Sequence, residues 1–159
     1  MAALSRRGFI CGGAAVAALA TMPAIAATGV KTLSNGRTEV NLAANPALAN
    51  VGGVVELDIK KYGRVAVVRT SKSAKGFSVF NLSCPHAGVR VTQSSGGWVC
   101  PGPRGHGSEF ALNGSLKVGP ATSALRAIKF TATNKAVTIA YAIVTALFNL
   151  ISPLGYKYP

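Results

Sequence analysis

Two Cys/His pairs lie close together in the sequence and restrict the possible folds more than any other feature. Cys84 and His86 form the first pair, Cys100 and His106 form the second, and the chain contains no other histidine. Residues 94–97 (Ser-Ser-Gly-Gly) have turn character and lie between the two pairs. Thiolate and imidazole groups are common ligands of transition metals. The sequence therefore predicts a metal site that two opposed hairpin loops hold between them.

Short β-branched runs separated by Gly, Asn, Ser and Pro indicate the fold class. No sustained helical period occurs between residues 50 and 135, and the 18 glycines and 8 prolines disfavour a helical bundle. The pattern predicts an all-β fold, either an antiparallel sandwich or a small barrel. The predicted strands are residues 54–59, 64–69, 76–82, 97–100, 116–118, 126–131 and 136–143.

The N-terminus has the layout of a bacterial export signal. Arg6 and Arg7 precede an uncharged, mildly apolar run, which ends at Pro23 and the small residues 24–27. The arginine pair, with Ser5 before it and Phe9 after it, resembles signals of the twin-arginine route, which exports folded proteins. We predict that residues 1–27 are a signal peptide or a membrane anchor. The predicted location is the periplasm or the outer face of the cytoplasmic membrane of a bacterium.

The uncharged run also raises the possibility of membrane association. Residues 8–30 carry no charge and are long enough to cross a bilayer, so this segment is the predicted site of any membrane contact. The following residues 28–50 are polar and small and are interpreted as an irregular lead-in. Residues 51–143 are the predicted domain, and residues 144–159 are an apolar C-terminal tail, interpreted as a short helix or a patch for a partner.

The charge balance excludes some partners and suggests others. The net charge is +13, from 17 basic and four acidic residues, while 49% of the chain is hydrophobic. A disordered basic tail would contain far fewer apolar residues. An exported chain without an aromatic and basic stripe is also not expected to bind nucleic acid. Lys60, Lys61 and the lysines of residues 72–75 are interpreted as solvated turns that can also steer an acidic redox partner.

The motifs around the two Cys/His pairs resemble those of the Rieske iron–sulfur family. The resemblance extends from about Leu82 to Leu125 and rests on the order and spacing of several pieces. These are Cys84-Pro85-His86-Ala87-Gly88, Gly97-Trp98-Val99-Cys100-Pro101, His106-Gly107-Ser108-Glu109-Phe110, Asn113-Gly114 and Gly119-Pro120-Ala121.

This resemblance implies a Rieske-type antiparallel β-sandwich with one [2Fe–2S] cluster per chain. Cys84 and Cys100 would bind one iron, and His86 and His106 would bind the other. The resemblance also implies that Ser108 donates a hydrogen bond to a bridging sulfide. Gly119 and Pro120 would form a third loop that covers the cluster.

Three departures from the family pattern affect the expected properties. Five residues separate Cys100 from His106 where the family has two, and we interpret residues 103–105 as an insertion that bulges outward. Val89 and Gly102 occupy the positions at which many members carry a disulfide. Phe110 occupies the position of a tyrosine that hydrogen-bonds a ligand sulfur in high-potential members. Fewer such bonds predict a potential in the lower or middle part of the Rieske range of roughly −150 to +300 mV.

The predicted function is one-electron transfer outside the cytoplasm. The resemblance suggests service in a respiratory or quinol-linked oxidoreductase chain, with a redox protein or a membrane oxidoreductase complex as the partner. An electron-transfer protein or a subunit is expected rather than a free-standing enzyme, because the sequence offers no catalytic base of its own. The alternatives are a Rieske-like sandwich that has lost its cluster or binds zinc and acts as a structural or binding module, and a disulfide between Cys84 and Cys100.

Overall fold

The structure is a computed structural model and describes residues 24–140. The predicted signal before residue 24 and the predicted tail from residue 144 lie outside these residues. Within them, twelve strands and one short 3-10 helix form. The strands are β1 Ile25–Ala26, β2 Val30–Thr32, β3 Thr38–Asn41, β4 Val54–Ile59, β5 Gly63–Arg69, β6 Phe77–Asn81, β7 Thr92–Ser94, β8 Gly97–Val99, β9 Glu109–Ala111, β10 Leu116–Val118, β11 Phe130–Ala132 and β12 Ala136–Ile139, and the 3-10 helix is Pro46–Ala49.

The described strands form three four-stranded sheets. The strand orders are β1-β4-β5-β6 in a central sheet, β10-β9-β8-β7 in a second sheet, and β11-β12-β3-β2 in a third. Every pairing is antiparallel except that of β1 with β4, which is parallel. The predicted all-β fold with antiparallel sheets is confirmed.

Both faces of the central sheet are buried, each in a different core cluster. On β5, Val65 and Val67 belong to one buried cluster, whereas Ala66 and Val68 belong to another, because successive side chains of a strand point to opposite faces. The first cluster is shared with β3 and β12. The second is shared with β8 and β9 and includes Cys84 and Cys100. The central sheet therefore separates a purely apolar core from the core beneath the predicted metal site.

The interpretation of residues 28–50 as an irregular lead-in is wrong. β2, β3 and the 3-10 helix lie in this segment, and Val40 and Leu48 are buried in the first core cluster. β3 pairs along its whole length with β12, at the other end of the domain. The short Thr-Glu-Val-Asn sequence of β3 has little strand character by itself. Tertiary pairing with a distant partner decides its conformation.

The predicted export signal ends one residue after a strand. Ile25 and Ala26 form β1 beside Val55 and Glu56 of β4, and the Ala27 N–H donates to the Glu56 carbonyl at 2.8 Å. The last residues assigned to the signal are thus paired with the central sheet. Within residues 24–140, no helix has the length and apolar character needed to cross a bilayer.

Candidate metal centre

The first predicted loop is a tight hairpin that buries its cysteine and exposes its histidine. The Cys84 N–H donates to the Val89 carbonyl, and the Gly88 N–H donates to the Cys84 carbonyl, both at 2.8 Å. Gly88 has a φ of 70°, a left-handed conformation that glycine adopts without a steric penalty. Cys84 is 2% exposed, whereas His86 is exposed. The hairpin therefore places a thiol in the core and an imidazole at the surface.

The second loop accommodates its three additional residues in a turn that closes on itself. The Cys100 N–H donates to the Ser108 carbonyl at 2.9 Å, and the Gly107 N–H donates to the Cys100 carbonyl at 3.1 Å. Within the loop, the Gly105 N–H donates to the Pro101 carbonyl at 2.8 Å. A Cβ atom on residue 105 would lie 2.1 Å from that carbonyl oxygen, so glycine is required for the close approach. The insertion bulges while the ends of the loop stay paired.

The two loops bring the predicted histidines together. The Nδ1 atoms of His86 and His106 are 3.1 Å apart, and the two rings meet edge to face with centroids 4.6 Å apart. Two nitrogens bound to one tetrahedral metal at about 2.0–2.1 Å would lie about 3.3 Å apart. The separation of the imidazole nitrogens therefore fits ligation of a single metal atom.

The predicted cysteines form a buried pair of free thiols. Cys84 and Cys100 are 2% and 1% exposed and belong to the same core cluster. Burial raises the pKa of the Cys100 thiol, and the neighbouring Cys84 also contributes to the increase. This environment favours the neutral thiol, so a bound cation would supply the charge that stabilises the thiolates. The alternative of a Cys84–Cys100 disulfide is not what the structure shows.

The four side chains are therefore divided by environment into a buried sulfur pair and an exposed nitrogen pair. Each loop contributes one member to each pair, so both pairs bridge the two loops. Among the residues that the structure describes, no group of three or more His, Cys, Asp or Glu side chains converges closely enough to hold one metal ion.

The predicted third loop is attached to the second loop through Ser108. Ser108 is fully buried, and its Oγ accepts a hydrogen bond from the Ala121 N–H at 2.9 Å. Gly119 and Pro120 directly precede this contact and are exposed. Because Oγ is the acceptor in this bond, its own proton remains a donor for another group. Donation from Ser108 to a sulfide stays a prediction.

Two aromatic side chains form the apolar base of the site. Trp98 is 1% exposed, packs edge to face on Phe80 with ring centroids 5.6 Å apart, and donates from its indole nitrogen to the Leu112 carbonyl. Phe110 is fully buried in the same cluster as the two cysteines. Trp98 is therefore a core aromatic of the cluster that contains the two cysteines.

Sequence reasoning missed the ion pairs that hold the first loop. Glu56, with 11% of its side chain exposed, binds Arg64 Nε and Arg90 Nη2, each at 2.9 Å from its Oε2 atom. Arg90 directly follows the hairpin and forms a β-bridge with Ser83 at its start. The available signal was Glu56 between the apolar residues Val55 and Leu57 of a predicted strand, since a buried carboxylate requires charged or hydrogen-bonding partners.

No model of a known protein family and no curated protein matches the sequence. Among solved structures, the chain is similar to the plasma membrane Rieske protein PetC3 of the cyanobacterium Synechocystis. The two are 30% identical with a TM-score of 0.49, over 60% of this chain and 93% of that chain.

Two other similar structures belong to oxygenase systems. The ferredoxin of carbazole 1,9a-dioxygenase from Nocardioides aromaticivorans is 20% identical over 57% of this chain and 86% of that chain, with a TM-score of 0.41. The quaternary ammonium Rieske monooxygenase CntA is 21% identical, with a TM-score of 0.47, over 60% of this chain and 29% of that chain. The antiparallel sheets of this chain, its two facing Cys/His loops and its Ser108-linked third loop give it a Rieske-like fold.

Proposed function

We propose that this chain is an exported one-electron carrier of the Rieske family that holds one [2Fe–2S] cluster. Cys84 and Cys100 are the proposed ligands of the buried iron, and His86 and His106 are the proposed ligands of the outer iron. The observation that carries the proposal is the pairing of the Nδ1 atoms of His86 and His106 at 3.1 Å, despite the longer second loop. The buried thiol pair supplied by the same two loops supports it.

The protein side chains determine the charge and the accessibility of this centre. Two thiolates bring two negative charges, whereas the imidazoles bring none, so the site carries less negative charge than one with four thiolates. When bound, a cluster of this kind accepts and releases one electron, at a higher potential than an all-cysteine cluster. Trp98 and Phe110 exclude water from the thiolate side. The exposed imidazoles provide the side that a redox partner can approach.

The proposal includes export by the twin-arginine route and service to a respiratory or quinol-linked oxidoreductase. Its support is the Arg6-Arg7 pair with its flanking residues and the metal centre itself, because a route that exports folded proteins suits a protein that receives its cluster beforehand. Replacing Arg6 and Arg7 with lysine should leave the folded protein in the cytoplasm. Cell fractionation measures this, and unchanged export would exclude the twin-arginine route.

The test of the cluster is the metal and sulfide content of protein purified without oxygen. We expect two irons and two acid-labile sulfides per chain, and an EPR signal of the reduced protein whose average g value lies below that of the free electron. Stoichiometric zinc without sulfide would overturn the proposal in favour of a structural or binding module.

A substitution in the second loop shows whether the EPR signal depends on the proposed ligand His106. His106→Ala should remove the spectrum of a two-imidazole cluster, because no other histidine of the chain can replace His106. Arg104→Ala, in the same loop, should keep the spectrum. An unchanged spectrum in His106→Ala would show that His106 is not a ligand.

A further inference from the structure

A cleft opens beside the first ligand loop. Its volume is about 520 Å³, and the residues at its wall include Cys84 and Pro85 of that loop. The β4–β5 turn contributes Lys61 and Tyr62 to the lining, and the segment before β11 contributes Arg126. The cleft therefore borders the backbone that carries a proposed iron ligand.

Hydrogen bonds to neighbouring strands fix the walls of the cleft. The Asn81 N–H donates to the Arg126 carbonyl at 2.9 Å, and this bond holds residue 126 beside the end of β6. Asn81 also donates through its side-chain amide to the Tyr62 carbonyl and accepts from the Ser83 N–H at 2.7 Å. One side chain thus links the turn, the end of β6 and the start of the ligand loop.

The charge of the cleft has one sign. Lys61 and Arg126 are exposed, and none of the described residues that line the cleft carries a carboxylate. Uniform positive charge on a concave surface concentrates negatively charged groups and accelerates their encounter.

The lysines at the other end of the central sheet provide an internal comparison. Lys72 and Lys75 lie in the β5–β6 turn and are exposed, as Lys61 is in the β4–β5 turn. The seven-residue β5 separates these two turns by about 20 Å, at about 3.3 Å per residue. Only the turn that contains Lys61 adjoins the ligand loop.

We propose that the cleft between Lys61, Arg126 and the first ligand loop is the docking site for a carboxylate-bearing surface of an acidic redox protein. The electron-transfer role of this docking rests on the proposed function, whereas the binding itself does not. The docked carboxylates pair with Lys61 and Arg126 and place the partner next to the loop that carries Cys84 and His86.

The binding test uses fluorescein-labelled polyglutamate and the full-length protein, with fluorescence anisotropy as the readout. The double variant K61E/R126E should weaken binding about tenfold or more at low salt, and the loss should shrink at about 1 M salt, where charges are screened within about 3 Å. K72E/K75E makes the same change in net charge and should weaken binding much less. Equal losses in the two variants would overturn the proposal, because net charge alone would then explain the binding.

Monomeric glutamate at the same carboxylate concentration should compete poorly with the labelled polyglutamate. Equal competition would overturn the proposal in favour of a site for small anions.

The electron-transfer test measures oxidation of the reduced protein by two small probes in a stopped-flow instrument. K61E/R126E should slow oxidation by the anion ferricyanide several-fold more than K72E/K75E does, and should not slow oxidation by the cation tris(phenanthroline)cobalt(III). Equal ferricyanide rates in the two variants would exclude the cleft as a route to the centre. Protein that lacks the cluster would contradict the proposed function, while the polyglutamate measurement would still decide whether the cleft binds acidic surfaces.

Discussion

Gly105 allows the second ligand loop to be longer than the family pattern. Its N–H binds the Pro101 carbonyl at 2.8 Å, and a Cβ atom there would meet that oxygen at 2.1 Å. We therefore expect Gly105→Ala to open the turn, move His106 away from His86 and reduce the cluster content. Iron and sulfide analysis of the purified variant measures the loss.

Gly102 is the matched control in the same loop. Apart from residue 102 itself and its two chain neighbours, no heavy atom lies within 4 Å of the position that a Cβ atom on Gly102 would take. Gly102→Ala should therefore retain the normal iron and sulfide content. Full cluster content in Gly105→Ala would contradict the importance given to this turn.

Phe110 affects the expected reduction potential. It is fully buried with the two cysteines, at the position where high-potential Rieske proteins have a hydrogen-bonding tyrosine according to the resemblance. Phe110→Tyr should raise the potential by about 20–65 mV, because one net hydrogen bond of about 0.5–1.5 kcal/mol would stabilise the reduced charge. A one-electron couple shifts by about 59 mV per tenfold change in its equilibrium constant. Potentiometric titration followed by EPR measures the shift.

Phe77 provides the comparison for this substitution. It is also buried, but in the core cluster on the other side of the central sheet. Phe77→Tyr should leave the potential unchanged. A potential that does not rise in Phe110→Tyr would show that this position does not control the centre.

At the scale of elements, β4 supports the first ligand loop through Glu56. This largely buried carboxylate binds Arg90, at the end of the loop, and Arg64 on β5. These ion pairs are a non-covalent attachment of the first loop to the central sheet. Glu56→Gln should lower the free energy of unfolding by about 1–3 kcal/mol, since it removes charge-assisted hydrogen bonds in a poorly hydrated site.

Urea unfolding followed by the fluorescence of Trp98, the sole tryptophan, measures this loss. Asp58→Asn is the control, because Asp58 pairs with the same Arg64 but has 71% of its side chain exposed. Such exposed pairs contribute about 0–1 kcal/mol. Equal losses of unfolding free energy in the two variants would show that the burial of Glu56 adds nothing to the stability that its ion pairs provide.

The strands differed in how well the sequence predicted them. Strands β4, β5 and β6 are rich in apolar residues because both faces of the central sheet are buried. The sequence analysis therefore predicted all three strands. β3 and β9 are short and contain polar residues, so their conformation depends on pairing with β12 and β8, which sequence periodicity does not reveal. The position of β1 beside β4 depends on the same kind of distant pairing.

At the scale of the whole molecule, the sequence predicted the candidate metal ligands better than it predicted the contacts that hold their loops in place. Cysteine and histidine are rare in this chain, so their grouping between residues 84 and 106 was visible at once. Attachment of the first loop through Glu56 and Arg90 joins residues 34 positions apart, so the local pattern around Glu56 indicates that it needs a partner but does not identify Arg90. The outward bulge of residues 103–105 was predicted, whereas its closure by the hydrogen bond from the Gly105 N–H to the Pro101 carbonyl was not.

The fold also determines which basic residues lie near the first ligand loop. The net charge of +13 is spread over the whole sequence, but the first ligand loop lies at one end of the central sheet. Under the docking proposal, Lys61 and Arg126 near that end contact the partner, whereas the lysines of the β5–β6 turn are screened from it at physiological salt, where the Debye length is about 8 Å.

Pulsed EPR of reduced, full-length protein labelled with ¹⁵N-histidine tests the central claim most directly. Because the chain contains two histidines, every labelled imidazole nitrogen belongs to His86 or His106. The account predicts a [2Fe–2S] signal with strong hyperfine coupling to two directly bound ¹⁵N nuclei, one from each loop. A signal coupled to one such nucleus or to none, or the absence of any iron–sulfur signal, would contradict it.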